Sequence, residues 1–147
     1  MIFSYEPFTM GNVLSKRYFT DKEHILEAEK DFLSEVFSNK EVMVKGPLVY
    51  MIEYTFENRI LSIWFMLPTA NECGSKDKTF KFDSYFGLEQ AICCKIYPDE
   101  LQENSEQIYD KMQEKCKEDG VRMVSPVYFA KNPLEKEGFY SLYAAIV

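Results

Sequence analysis

Two apolar and aromatic runs near the middle of the chain carry the period of a β-strand, and the other segments arrange themselves around them. Gly46-Pro47-Leu48-Val49-Tyr50-Met51-Ile52-Glu53-Tyr54-Thr55-Phe56 is followed by the polar break Glu57-Asn58-Arg59 and then by Ile60-Leu61-Ser62-Ile63-Trp64-Phe65-Met66-Leu67-Pro68. β-Branched and aromatic runs that flank a polar tip and are bounded by prolines predict a β-hairpin over 48–67. In the first run the even positions Leu48, Tyr50, Ile52, Tyr54 and Phe56 are all apolar or aromatic, so one face seats a core. The odd positions Val49, Met51, Glu53 and Thr55 are mixed. The second run is apolar on both faces and must be covered on both, by helices on one side and by a ligand, a partner or another layer on the other.

The remaining segments follow the same logic. Residues 10–19 predict a first strand whose alternation Lys16 and Arg17 blur. Thr20 with Glu23 three residues on predicts a capping box for a helix over 21–38. Ile25, Ala28, Phe32 and Val36 give that helix an apolar stripe, with Leu26, Leu33 and Phe37 alongside. Pro68, Gly74 and clustered polar residues mark 69–79 as a connecting loop. A long strand is expected over 83–97, its even face Phe86, Leu88, Ile92, Cys94 and Ile96 broken only by Gln90. Pro98-Asp99, with Gln102 following, opens a helix over 99–119, and Gly120 closes it; Leu101, Ile108, Met112 and Cys116 form its stripe. A second hairpin, 123–130 and 138–147 around Asn132-Pro133 and Gly138, ends the chain.

This is a strand–helix–strand–strand pattern written twice. Asp21 and Asp99 lie 99 − 21 = 78 residues apart, as do Tyr50 and Tyr128 at 128 − 50 = 78. Pro47 and Pro126 lie 126 − 47 = 79 apart, so one residue slips between helix and hairpin. The expectation is one α+β domain of two pseudo-repeats, 8–68 and 80–147, joined by the 69–79 loop, with both helices on one side of a joint antiparallel sheet.

Composition narrows the function. With 147 residues and 46% hydrophobic content the chain can bury a core without staples, and ten Tyr and twelve Phe make it rich in ring surface rather than disordered. A net charge of −7 argues against nucleic acid and anionic membrane as direct partners, since both demand a basic footprint, and points to a basic protein instead. Met1-Ile2-Phe3-Ser4-Tyr5-Glu6 has neither a basic n-region nor a long apolar h-region. The longest apolar run falls far short of the roughly 18 residues a membrane span needs, so a cytoplasmic protein is expected. Cys73, Cys93, Cys94 and Cys116 show no metal-type spacing, and adjacent Cys93 and Cys94 would face opposite ways on a strand. They read as buried, reduced thiols, with no metal and no cofactor.

Charge is concentrated on the helices. Residues 21–38 hold six acids and two bases and residues 99–119 hold eight acids and three bases, so the two helices together carry −9. Glu103, Glu106, Asp110 and Glu114 line the face of the second helix opposite Ile108 and Met112. Such a stripe can imitate phosphates toward the cleft of a basic nuclease and steer association. The plain alternative is a solvated face with Lys111 and Lys115 as intrahelical partners. Tyr50, Glu53, Tyr54, Trp64, Tyr85, Tyr128, Tyr140 and Tyr143 are candidates to line a ligand cleft, against the alternative that they are core and interface filler. Alternation puts Glu53 on the face of Met51 and Thr55. His24, the sole histidine, sits on the first turn of an acidic helix and reads as structural. No serine elbow, phosphate loop, zinc spacing or triad occurs, so a binding protein rather than an enzyme is expected.

The βαββ-βαββ order, the Gly46-Pro47-x-x-Tyr50 lead into the first hairpin, the closing Pro126-Val127-Tyr128 and the Tyr143-containing last strand resemble the GyrI-like superfamily over most of residues 8–147. The resemblance implies a small-molecule cleft between the halves, with an acidic residue meeting cationic ligands in drug-sensing members. The last strand, 139–147, carries no carboxylate and departs from that pattern, and no helix-turn-helix precedes the domain. In size and acidity the chain is also similar to the YxxD-type antitoxins, the immunity proteins of LXG polymorphic toxins. That resemblance implies a cognate toxin with a basic, nuclease-type domain as partner.

Overall fold

Among the described residues eight strands and two helices follow one another: β1 (Ile2–Tyr5), β2 (Phe8–Thr20), α1 (Ile25–Ser38), β3 (Leu48–Thr55), β4 (Leu61–Pro68), β5 (Lys81–Leu88), β6 (Ala91–Ile96), α2 (Pro98–Glu118), β7 (Tyr128–Lys131) and β8 (Tyr140–Ala145). This computed structural model describes residues 1–55, 59–72, 78–131 and 140–147, with the side chains of 54, 55 and 98–106 outside that description. The hairpin tip Glu57-Asn58, Phe56, Cys73, Gly74, Leu101, Asn132-Pro133 and Gly138, all used in the sequence reading, therefore lie outside the described residues or side chains. The α+β class expected from the sequence is the one observed. Among the described residues no helix is long and apolar enough to cross a membrane.

Packing divides the chain into a central unit, residues 10–86, and a terminal unit, residues 1–9 with 87–147. In the central unit the strands lie in the order β3-β4-β2-β5. Antiparallel pairing sets Tyr50 opposite Phe65, and Leu14 opposite Leu67. Helix α1 seals one face, burying Phe32 and Val36 against Leu14, Leu48, Ile63, Phe65, Leu67 and Phe80. In the terminal unit the order is β1-β6-β8-β7, and α2 places Ile108, Met112 and Cys116 against Ile92, Cys94, Ile96, Leu142 and Ala144. Each edge strand comes from the chain just before the other unit's βαββ. β1 precedes β2 yet pairs with β6, and β5 precedes β6 yet lies beside β2.

The pairings refine the repeat. Isolated bridges join Val44 to Thr69 and Met123 to Ile146, while Tyr50 pairs with Phe65 and Phe129 with Leu142. Phe129 is thus the counterpart of Tyr50, at the spacing of the two prolines. The expected match of Tyr50 with Tyr128 is corrected by one residue, and one residue is enough to turn a strand side chain to the opposite face.

Three local expectations also change. The helix over 21–38 begins as a 3-10 turn, Lys22–His24, capped by Asp21 rather than Thr20. The Asp21 carboxylate accepts the backbone N–H groups of Glu23 and His24, each at 3.0 Å. Asp competes as well as Thr for this position and here lies one residue nearer the turn. The strand over 83–97 is two strands, β5 and β6, parted at the exposed Glu89-Gln90, after which β6 pairs with β8 while β5 lies beside β2. The first strand is longer than read, and β1 ahead of it, only four residues long, is too short to show a period. At the end of α2 the forecast holds. Gly120 takes φ 73, with Gly120 N–H donating to the Lys117 carbonyl and Val121 N–H to the Cys116 carbonyl, a Schellman closure.

Phe32 has no exposed surface, so Phe32→Ala should cost about 3–5 kcal/mol in denaturant unfolding. Leu26→Ala on the exposed shoulder of the same helix should stay within about 0.5 kcal/mol. Gly120→Ala should cost roughly 1–2 kcal/mol through its left-handed backbone alone, since an added Cβ there meets nothing within 4 Å.

Candidate functional site

A strand sealed on one face by a helix sends its intervening residues to the other face, and in the central unit those residues carry the chemistry. Arg17 on β2 pairs across to Trp64 on β4, which pairs in turn with Met51 on β3. The register of β3 then shifts between Ile52 and Tyr54, leaving Glu53 as the extra residue of a bulge. Glu53 stays on the face of Met51, as alternation predicts, and reaches Trp64 there. The result is a compact polar set on the face away from α1. Trp64 Nε1–H donates to Glu53 Oε2 at 2.5 Å. Arg17 Nε lies 3.5 Å from the same oxygen and donates to Ser62 Oγ at 2.7 Å. The guanidinium rests over the Phe19 ring at 4.8 Å, and Lys81 Nζ sits over the Trp64 ring at 5.6 Å. The Arg17 and Glu53 side chains keep 39% and 42% of their surface open, so they can meet something larger than water.

On the opposite face the polar side chains tie β2 to α1. Lys16 pairs with Glu35 at 2.8 Å, and Tyr18 donates to Asp31 at 2.7 Å. Burial and that carboxylate push the Tyr18 hydroxyl far above its ordinary range. These contacts hold the helix in place and leave no open carboxylate between them.

The terminal unit has its own polar set on the face away from α2. Tyr143 stacks on Phe8 with ring centroids 4.3 Å apart and donates to Glu6 Oε1 at 3.4 Å. Ser4 donates to the other carboxylate oxygen at 3.1 Å. Cys93, wholly buried, hydrogen-bonds with both Tyr143 and Ser4, and burial is the main reason its thiol is raised above the ordinary value. Burial likewise leads the upward shift of Tyr143, with Cys93 and Glu6 adding to it. Beside this ring of four side chains lies a notch of about 250 Å³ lined by Tyr5, Glu6, Pro7, Glu89, Gln90, Ala91 and Ile146.

The candidates read from the sequence part company here. Glu53 and Trp64 meet. Tyr85, exposed on β5, shares the alternation of Lys81 and Asp83 rather than of the core residues Phe80 and Phe82. Tyr50 belongs to the α1 side, tilted against Phe65 at 6.3 Å, and Tyr140 packs with the α2 core; both are filler. Tyr143 and Tyr128 lie on the terminal unit's other face, opposite one another in the β7–β8 ladder. The Tyr54 side chain lies outside the described residues. Asp110 and Glu114 are exposed on α2, away from Ile108, Met112 and Cys116, whereas the side chains of Glu103 and Glu106 lie outside the description. Lys115 pairs with Asp119 at 3.4 Å, and Asp119 also accepts the Tyr5 hydroxyl at 2.6 Å.

Arg17, Ser62 and Lys81 were missed. Arg17 reads as an interruption of a strand until the register sets it against Trp64, and no local pattern announces that. Cys94 and Cys116 are buried cysteines outside any disulfide, like Cys93. Among the described residues no group of three or more His, Cys, Asp or Glu could hold a metal ion.

His24 is committed to its own cap, its Nδ1 lying 2.6 Å from Asp21 Oδ1. That hydrogen bond raises the imidazole and lowers the carboxylate. With the folded imidazole above its ordinary 6.5, its contribution is complete below that pH and disappears as pH rises through the folded value. Asp21 works in the opposite sense, contributing above its ordinary carboxylate range and losing that contribution as pH falls through the lowered value. Melting temperature measured against pH should therefore fall on the alkaline side of 6.5 in the native chain, and His24→Gln should flatten that decline.

A family model described as Domain of unknown function (DUF5085) matches residues 9–144. No curated protein matches the chain significantly. Solved structures share its fold. The cryo-EM structure of the EcmrR–DNA complex in EcmrR-RPo aligns at 11% identity and TM-score 0.73 over 98% of this chain, which spans only 57% of that one. The crystal structure of the EcmrR C-terminal domain aligns at 11% identity and TM-score 0.70, covering 100% of this chain and 99% of that one. SAV2435 bound to tetraphenylphosphonium aligns at 10% identity and TM-score 0.60, with 100% and 94% covered. A hydrolase from Listeria innocua aligns at 12% identity and TM-score 0.59, with 97% and 92% covered. At these identities the likeness is one of fold, and the fold is GyrI-like.

Proposed function

The chain belongs to the family described as Domain of unknown function (DUF5085), and from that premise we propose that it works by binding rather than by catalysis. Its ligand is an aromatic or amphipathic organic cation, taken on the face of the central unit away from α1. The observation that carries this is the Glu53 carboxylate bonded to the Trp64 indole, with Arg17 and Lys81 already drawn to the same carboxylate and ring. A negative charge beside an aromatic face attracts cations twice over, by Coulomb attraction and by the ring quadrupole. At exposures near 40% each contact contributes only about 0.5–1 kcal/mol. Apolar surface on the ligand must supply the rest, which favours aryl cations over bare ammonium. SAV2435, which shares the fold, is bound to such a cation. An indole, a carboxylate and a guanidinium offer charge and ring surface for a ligand to bind. We keep the cytoplasm as the place of action, and neither nucleic acid nor membrane as a surface for this acidic chain.

A second reading, immunity to a cognate LXG-type toxin with a basic nuclease domain, draws on a different observation. Asp110 and Glu114 are exposed on α2, on the helix that carries Glu103 and Glu106. Encounter with a basic partner would be steered by that charge and weakened by salt.

Two experiments separate these readings. Tetraphenylphosphonium at about a hundred times its dissociation constant should stabilise the fold by about 2.7 kcal/mol, a rise in melting temperature on the order of 5–10 °C, and Glu53→Gln should reduce that stabilisation by about 0.5–1 kcal/mol at the same ligand concentration. No shift in the native chain would refute the cation reading. For immunity, lysine at 103, 106, 110 and 114 together should slow association with a neighbouring toxin and shrink its salt dependence; an unchanged rate in a folded variant would move the contact off α2.

A further inference from the structure

We infer that Arg17 is a built-in competitor for the ligand of the Glu53–Trp64 face, holding the carboxylate until a cation that also stacks on the rings displaces it. The inference rests on the cation reading above and adds to it a mechanism of selection.

Arg17 has three partners of unequal grip. Its Nε–H is fixed on Ser62 Oγ at 2.7 Å, and Ser62 has no exposed surface. Its guanidinium lies over Phe19 at 4.8 Å. Its approach to Glu53 Oε2, at 3.5 Å, is the longest polar contact of the set, and that oxygen already accepts the Trp64 indole. Arg17 can therefore release Glu53 and remain on the face, anchored by Ser62 and Phe19. Lys81 has the same freedom, since the ammonium over Trp64 also lies 3.7 Å from Asp83 Oδ2. Both resident cations sit against the ligand's contacts, and both have somewhere else to go.

Selection follows from effective concentration. A tethered guanidinium acts at millimolar concentration or above toward a carboxylate within its reach, so a free cation that offers charge alone gains little by replacing it. A cation carrying aryl surface adds stacking on Trp64 and Phe19, which Arg17 and Lys81 cover only in part. The face thus discriminates against metal ions and small ammonium ions without a closed pocket, by keeping its charge occupied. Arginine suits the role better than lysine, because the planar group stacks on Phe19 and keeps a donor on Ser62 while yielding the carboxylate.

The chain has one tryptophan, so fluorescence reports directly from Trp64. Titrations of the native chain, Arg17→Gln and Glu53→Gln with tetraphenylphosphonium, and separately with tetramethylammonium, test the idea. Arg17→Gln should bind tetraphenylphosphonium about two- to fivefold more tightly than the native chain and should gain measurable binding of tetramethylammonium. Glu53→Gln should bind tetraphenylphosphonium about two- to fivefold more weakly than the native chain and tetramethylammonium not measurably. If Arg17→Gln is equal to or weaker than the native chain while Glu53→Gln still binds more weakly, Arg17 is no competitor, although the face remains a cation site. If no variant and no native chain binds, both proposals fall. Cooperative thermal unfolding of each variant is the control for folding, and Arg17→Met, which keeps the apolar stem without the charge, repeats the test should the glutamine variant fail to fold.

Discussion

Phe32 decides which way the central sheet faces. It lies on α1 with no exposed surface, stacked on Phe65 and edge-on to Phe80, each at 5.8 Å. Those contacts commit the even residues of β2 and β3 and the odd residues of β4 to the helix. Because strand side chains alternate, Arg17, Ser62 and Trp64 are committed to the other face by the same packing. Nothing local to the polar set could hold it there as firmly as the core behind it, since its individual contacts are exposed and weak.

The terminal unit repeats that arrangement with different chemistry. Ile108, Met112 and Cys116 of α2 fix the helix side, and Glu6, Ser4, Cys93 and Tyr143 meet on the other. There the carboxylate is held by two hydroxyls, with a buried thiol closing the ring of hydrogen bonds. In the central unit it is held by an indole and a guanidinium. A hydroxyl-bound carboxylate is satisfied by neutral donors, whereas Glu53 meets an indole N–H and a charged guanidinium. One scaffold therefore carries two carboxylates satisfied in different ways, one in each unit.

The reciprocal use of edge strands binds the order of the chain to these faces. β1 supplies Ser4 and leads to Glu6 for the terminal unit, although the chain runs straight on into the central unit at β2. β5 brings Lys81 to the ring of Trp64, although β6 belongs to the terminal core. Neither unit is complete without a segment that precedes the other's βαββ motif. The pairings are accordingly long-range, and loop-closure entropy opposes each until the cores that reward it are formed.

Alternation and capping chemistry were legible in the residues themselves. The hairpin over 48–67, the stripe of Phe32 and Val36, the stripe of Ile108, Met112 and Cys116, and the stop at Gly120 all follow from interactions within a few residues. The duplicated βαββ order followed from them, and with it the fold class. Glu53 and Trp64 could be named as candidates, but not joined, because which residue of β4 Glu53 meets is set by the β3–β4 register, and that register shifts at Glu53. The division of 83–97 into two strands, the one-residue shift that makes Phe129 rather than Tyr128 the repeat counterpart of Tyr50, and the pairing of Arg17 with Trp64 all belong to register between distant strands. Local sequence fixes which residues favour a strand and which face each would take. Which strands then meet, and in what register, is settled by the simultaneous burial of both cores, so the juxtaposition of Arg17, Glu53, Ser62 and Trp64 exists only in the tertiary structure.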